Sequence, residues 1–198
     1  MEDFKTSKTL LLRLQQQDDE KAWDRFSIEY RPFIYSLIKV YGVNHEDSEE
    51  LVQDVLVKVW KAMGDFLYVR ERCKFRTWLS RVVKNATINF LSLKKNKMKK
   101  MEVNDSEGAL QNFSSRNEID DKAENEWKLF IANKAWENIQ SSFSEKVLEA
   151  YSYMASGKSA LEAAEMYEIE ENTAFRYRKR VKDAMGREIR RLNVEMDG

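Results

Sequence analysis

The chain has 198 residues, 42% hydrophobic and 34% charged, with 34 basic residues balanced by 34 acidic ones. That length suits one or two compact domains, and a formal net charge of zero means that any nucleic-acid signal must come from segregated charge. One proline and six glycines argue against a turn-rich all-β fold and for long helices, so the expected class is all-α.

A lone Cys73 excludes an internal disulfide, and a lone His45 leaves too few soft ligands for a structural zinc site. Neither a metal nor a cofactor is expected, and the cysteine usage reads as cytoplasmic. The leucines before Leu14 form too short a run for the apolar part of a signal peptide, and no stretch approaches about 18 apolar residues. Residues 1–17 are therefore read as a lead segment, and no membrane insertion is expected.

From an N-cap at Asp18 or Asp19, Ala22, Trp23, Phe26 and Tyr30 follow helical spacing, continued by Phe33, Ile34, Leu37, Ile38 and Tyr41. Pro32 predicts a kink or a division. Gly42 supplies a stop and Asn44 a new cap. Leu51, Val52, Val55, Leu56, Val59, Trp60 and Met63 then stripe a second helix that ends at Gly64. A loop from Asp65 to Lys74 leads to a third helix starting near Phe75, with Trp78, Leu79, Val82, Val83, Ala86 and Phe90 on one side.

From Lys74 to Met101 there are nine basic residues and no Asp or Glu, a segregated positive field. The composition then inverts. Glu102 to Glu126 carries Asp105, Glu107, Glu118, Asp120, Asp121 and Glu124 with little apolar periodicity, which reads as a flexible acidic linker over 101–126. A second helical block from Trp127 to Leu192 is expected to hold three or four short helices. The expected domains are thus 18–100 and 127–198.

On the third helix, aromatics and cations alternate in Phe75-Arg76-Thr77-Trp78-Leu79, followed by Arg81 to Asn89. Aromatic faces stack on bases while Lys and Arg neutralise phosphates, so the pattern suits single-stranded nucleic acid. The plainer alternative is an amphipathic helix with a solvated outer face. The missing acids favour binding. In the C-terminal block, Ser159 to Tyr167 reads as a capped helix, Glu168 to Asn172 as a turn, and Thr173 to Met185 as a second helix bearing Arg176, Arg178, Lys179, Arg180 and Lys182. This is a helix-turn-helix pattern, with a plain helical hairpin as the alternative.

Glu49, Glu50, Gln53, Asp54 and Lys58 form a polar helix face that names no partner by itself, and His45 beside Asp47 reads as a cap or surface residue. Cys73 sits beside Arg72 and Lys74, which would lower a thiol pKa, but no histidine or second cysteine lies near it in sequence. No phosphate-cradling glycine loop, metal-ligand cluster or nucleophile with its base is evident, so no enzymatic activity is expected.

Tyr30-Arg31-Pro32, Glu50 to Trp60 and Phe75 to Asn85 together resemble region two of the extracytoplasmic-function group of sigma-70 family factors, in the right order, within Glu20 to Lys97. Phe143 to Leu192 resembles region four, centred on Ala164 to Ile169 and Thr173 to Val181. Here the chain departs from the family pattern. Glu168 and Asn172 stand where glycine is usual, Phe175 where a basic residue is, and Arg178 where an apolar one is. A left-handed backbone suits Asn better than Glu. Arg178 is expected to surface or snorkel while Tyr177 or Val181 fills the core.

The resemblance implies a transcription initiation factor that binds core RNA polymerase, recognises promoter DNA and promotes strand opening. Glu50, Gln53, Asp54 and Trp60 would face the clamp helices of the β′ subunit, and region four the β flap. Arg76, Arg81, Lys84, Asn85, Asn89, Lys94 and Lys95 would face the minus-ten element, while the loop from Phe66 to Lys74 would help hold a flipped base. Thr173, Arg176, Lys179 and Arg180 would read the minus-thirty-five element, with Arg187, Arg190 and Arg191 near phosphates. The linker would thread near the active-site and RNA-exit channels of the polymerase. An anti-sigma factor is the further partner the resemblance allows. A stand-alone helix-turn-helix regulator is the alternative, though it leaves the region-two stretches without a role.

Overall fold

The computed structural model describes residues 7–16, 18–64, 74–100 and 116–197. Every regular element among them is an α-helix: α1 (Ser7–Leu14), α2 (Glu20–Val40), α3 (His45–Met63), α4 (Phe75–Lys100), α5 (Arg116–Gln140), α6 (Glu145–Ala155), α7 (Ala160–Met166) and α8 (Glu171–Asp197). The chain forms two compact units, one of residues 1–130 with 194–198 and one of residues 131–193. The division therefore falls after Phe130, four residues beyond the expected end of the linker at Glu126. Cys73 and the base-holding loop before Lys74 lie outside the described residues.

In the first unit, Asp19 caps α2 by accepting from the Ala22 amide at 3.0 Å. Arg13 donates to the same carboxylate from Nε at 2.6 Å and from Nη2 at 2.9 Å, joining the end of α1 to the start of α2. These bonds from Arg13 hold the Asp19 carboxyl below its usual range. Leu10, Leu11 and Leu14 are buried, so α1, which lies within the segment read as a lead, packs into this unit.

Pro32 neither divides nor ends α2, which runs unbroken across it. The ring removes one amide donor, leaving the Ile28 carbonyl without its usual partner. Ile28 is 75% exposed, so water can reach that oxygen. At the far end Gly42 adopts a left-handed φ of 79°, and Asn44 accepts from the Asp47 amide at 2.8 Å to cap α3.

The core between α2, α3 and α4 is rich in rings. Phe26 stacks on Tyr30 with centroids 4.7 Å apart, and Phe75 meets Tyr30 edge-on at 5.5 Å. In α4 the buried positions are Phe75, Leu79, Val83, Ala86 and Thr87. Trp78, Val82 and Phe90 are only half-buried, because four-residue steps from Phe75 rotate the inward face away from them. Trp78 instead lies against Phe75 at 5.5 Å. The Thr87 hydroxyl donates to the Val83 carbonyl at 2.8 Å, which satisfies a polar group that burial would otherwise penalise.

The acidic stretch is not irregular as far as Glu126, since α5 begins at Arg116. Trp127, 1% exposed, packs edge-on against Phe33 at 5.1 Å within the first unit.

The second unit holds the end of α5 from Ile131, the short α6 and α7, and α8 as far as Asn193, so the block expected to hold three or four short helices includes most of the 27-residue α8. Ser159 and Glu162 form a reciprocal capping box on α7, and these bonds from Ser159 lower the Glu162 carboxyl from its ordinary value. Ala160, Ala163, Ala174 and Met154 make one small core cluster, and Ile139, Val147 and Val181 another. Ala160 and Ala163 of α7 share the first cluster with Ala174 of α8, which joins the two helices that a helix-turn-helix pairs.

Candidate nucleic-acid interface

The buried stripe of α4 fixes which residues face outward. Arg81, Asn85 and Asn89, one turn apart in succession, are exposed, with Lys84 half-buried beside them. These four residues form one ridge that mixes positive charge with carboxamides able to donate to and accept from base edges. The structure brings together the centre of the minus-ten set expected from sequence.

Its flanks differ. Arg76 is only 16% exposed, with its Nη2 lying 3.0 Å from Glu124 Oε2. Lys94 pairs with Asp47 at the start of α3, and Lys95 is half-buried. An exposed pair of this kind is worth about 0 to 1 kcal/mol, so Lys94 remains recruitable.

A cleft runs along the foot of the ridge, lined on α4 by Arg76, Thr77, Ser80, Arg81 and Lys84, with Tyr41 from the end of α2 and Ala123 and Glu124 from α5. Tyr41, Thr77 and Ser80 were missed by sequence reasoning. For Thr77 and Ser80 the signal existed: Thr77 falls four residues before Arg81 and Ser80 four before Lys84, on the same side of the helix.

On α3, Glu50, Gln53 and Asp54 are exposed, and Trp60 is 40% exposed although it fits the apolar spacing. Val57, 50% exposed, lies between them and was also missed. Together they make a face with acidic and polar groups at one end and apolar ones at the other. The buried side of α3 is Leu51, Val52, Val55, Val59 and Met63.

In the second unit, Glu168 adopts a φ of 50° in the turn between α7 and α8, the left-handed conformation anticipated at that position. Asn172 needs no such conformation because α8 already starts at Glu171. Arg176, Lys179 and Arg180 are exposed on α8, with Thr173 half-buried one turn earlier. Arg176 Nη2 donates to Thr173 Oγ1 at 2.9 Å, which aims the guanidinium along the helix face. Arg178 lies over the Phe175 ring, 5.0 Å from its centroid, while Val181 is fully buried and Tyr177 packs beside it. The departure at Arg178 is accommodated by a cation over a ring.

His45 begins α3, and its Nδ1 lies 2.8 Å from Tyr35 Oη at the surface. Among the described residues no group of His, Cys, Asp and Glu could hold a metal ion, and no helix is long and apolar enough to cross a membrane.

Residues 28–97, which include α3, the ridge and most of α4, match the family described as sigma-70 region 2. Over 81 residues the chain is 28% identical to the RNA polymerase sigma-H factor of Pseudomonas aeruginosa, covering 41% of this chain. The match spans about two fifths of that relative's length, 40%. A solved structure of CnrH in complex with the cytosolic domain of CnrY is similar at a TM-score of 0.36 and 18% identity, over 90% of this chain and 93% of that one. The likeness to the sigma-70 family thus rests on region 2, over residues 28–97.

Proposed function

We propose that the protein is a transcription initiation factor that binds core RNA polymerase through α3, recognises promoter DNA through α4 and through α7 and α8, and promotes strand opening by binding alone, without catalysing a reaction. The observation that carries this reading is the ridge of Arg81, Lys84, Asn85 and Asn89, exposed on a helix whose opposite face is buried, inside the sigma-70 region 2 match.

The physics supports such a division of labour. Unpairing and unstacking a base costs a few kcal/mol, and a surface that neutralises the backbone while offering carboxamides to a freed base can offset it. Duplex recognition by Thr173, Arg176, Lys179 and Arg180 would add an upstream anchor, with side chains reaching base edges in the major groove. The exposed Trp60 and Val57 beside Glu50, Gln53 and Asp54 suit a protein partner, since interfaces favour aromatic anchors with a polar surround. The β′ clamp helices are the partner proposed for that face and the β flap for the second unit, with an anti-sigma factor as a competing partner and the cytoplasm as the site of action.

The test is transcription reconstituted from purified core polymerase and the protein on a genomic DNA pool, with start sites mapped. A discrete set of starts that depends on the protein is expected. A stand-alone helix-turn-helix regulator would neither co-elute with core enzyme nor create new starts.

A further inference from the structure

Charge is segregated along the chain, with no acid between Lys74 and Met101 and a dense acidic stretch after it. Within the first unit, part of that stretch meets the basic helix. Glu124 lies 3.0 Å from Arg76, and Ala123 and Glu124 wall the cleft whose other side is Arg76, Ser80, Arg81 and Lys84. The Arg76 guanidinium also sits 5.8 Å from the ring centre of the buried Trp127, one turn further along α5.

We propose that the turn of α5 carrying Ala123 and Glu124 acts as an intramolecular stand-in for a DNA backbone, covering the foot of the α4 ridge in the free chain and yielding it to DNA. This rests on the reading of α4 as the promoter-facing helix. The Glu124 carboxylate presents to Arg76 the same bonding that a phosphate oxygen presents, so the two compete for one guanidinium. Trp127 supplies the anchor, fixed against Phe33, and keeps the carboxylate at high local concentration. Glu124 itself is 41% exposed, so the bridge is partly solvated and weak enough to open. A cover of this kind lowers apparent affinity by the fraction of chains in which it is closed.

The test is fluorescence anisotropy of the full chain with a fluorescein-labelled, random-sequence 20-nucleotide single strand at low salt. Glu124→Gln preserves shape and removes the competing charge, and should tighten binding about 3- to 10-fold, the gain expected if two thirds to nine tenths of free chains are covered. Asp121→Asn removes the same charge from an exposed position outside the cleft and should change affinity less than about 2-fold. Equal gains from the two variants would reduce the effect to net charge and overturn the cover. Lys84→Ala, made in both the parent and the Glu124→Gln chain, separates this from failure of the promoter reading. If Lys84→Ala weakens binding while the two charge variants match, only the cover falls. If Lys84→Ala leaves affinity unchanged in both, α4 is not the DNA face and the cover falls with it.

Discussion

Replacing Phe75 by alanine should unfold the first unit far more readily than replacing Trp78, the reverse of what side-chain size suggests. Phe75 has no exposed surface and meets Phe26 at 6.0 Å, Tyr30 at 5.5 Å and Trp78 at 5.5 Å. Emptying that site removes one ring from the contact of α2 with α4, and such truncations cost about 3 to 5 kcal/mol. Trp78, placed in the core by its spacing, is only half-buried. Full burial of a large apolar side chain is worth about 1.5 to 3 kcal/mol, so Trp78→Ala should cost about 1 to 2 kcal/mol. Urea denaturation of the full chain followed by circular dichroism reads both, with Val181→Ala identifying the transition of the second unit. For a denaturant slope of about 2 kcal/mol per molar, Phe75→Ala should lower the first unit's midpoint by about 2 M and Trp78→Ala by less than about 1 M. Equal shifts, or a larger one for Trp78, would refute the placement of the inward face of α4.

Replacing Gln53 and Asp54 together by alanine should weaken binding to core polymerase without moving either unfolding transition, because both are exposed on α3; unchanged affinity in a titration would remove this face from the interface. Arg176→Ala or Lys179→Ala should cost about 1 to 3 kcal/mol in promoter binding if the side chain reaches a base edge, or mainly flatten the salt dependence if it meets a phosphate. Normal transcription by both variants from a promoter that needs its upstream element would displace the recognition surface from α8. Glu168→Gly should stabilise the second unit by about 0.5 to 1 kcal/mol, since relief of a left-handed strain of about 1 to 2 kcal/mol exceeds the added freedom of the unfolded chain. A lower midpoint for that unit would contradict it.

Much of this architecture is legible in the sequence because local chemistry agrees with the packing. Asp19, Asn44 and Ser159 cap the helices their positions suggest, and the left-handed turn is where Glu168 replaces a usual glycine. What escapes has specific causes. The α5 start at Arg116 is hidden because, among the residues whose burial is described, regularly spaced buried positions begin at Trp127 and continue through Ile131, Ala135 and Ile139. Gly186 does not end α8, as tertiary packing up to Leu192 and Met196 outweighs its propensity cost of about 1 kcal/mol.

The same contrast holds at the candidate site. The ridge of Arg81, Lys84, Asn85 and Asn89 follows from helical periodicity alone. The engagement of Arg76 by Glu124 joins residues 48 positions apart in sequence, and that of Lys94 by Asp47 joins residues 47 apart. No local pattern predicts which cation finds which acid. Tyr41 enters the cleft by the same route, from a helix end whose sequence carries no binding signal.

Strand opening separates a sigma factor from a duplex-binding regulator, and the reactivity of promoter thymines to permanganate reads it directly. On a promoter recovered from the genomic pool, core polymerase with the protein should expose thymines around the minus-ten element, and core polymerase alone should not. Asn85→Ala should keep polymerase affinity but lose that reactivity, with a pre-melted bubble restoring little and lower salt giving no relief, as expected when a carboxamide captures a base and not a phosphate. Thymine reactivity that is the same with and without the protein would contradict strand opening by this chain, and reactivity and minus-ten preference unchanged by Asn85→Ala would remove Asn85 as the residue that reads it.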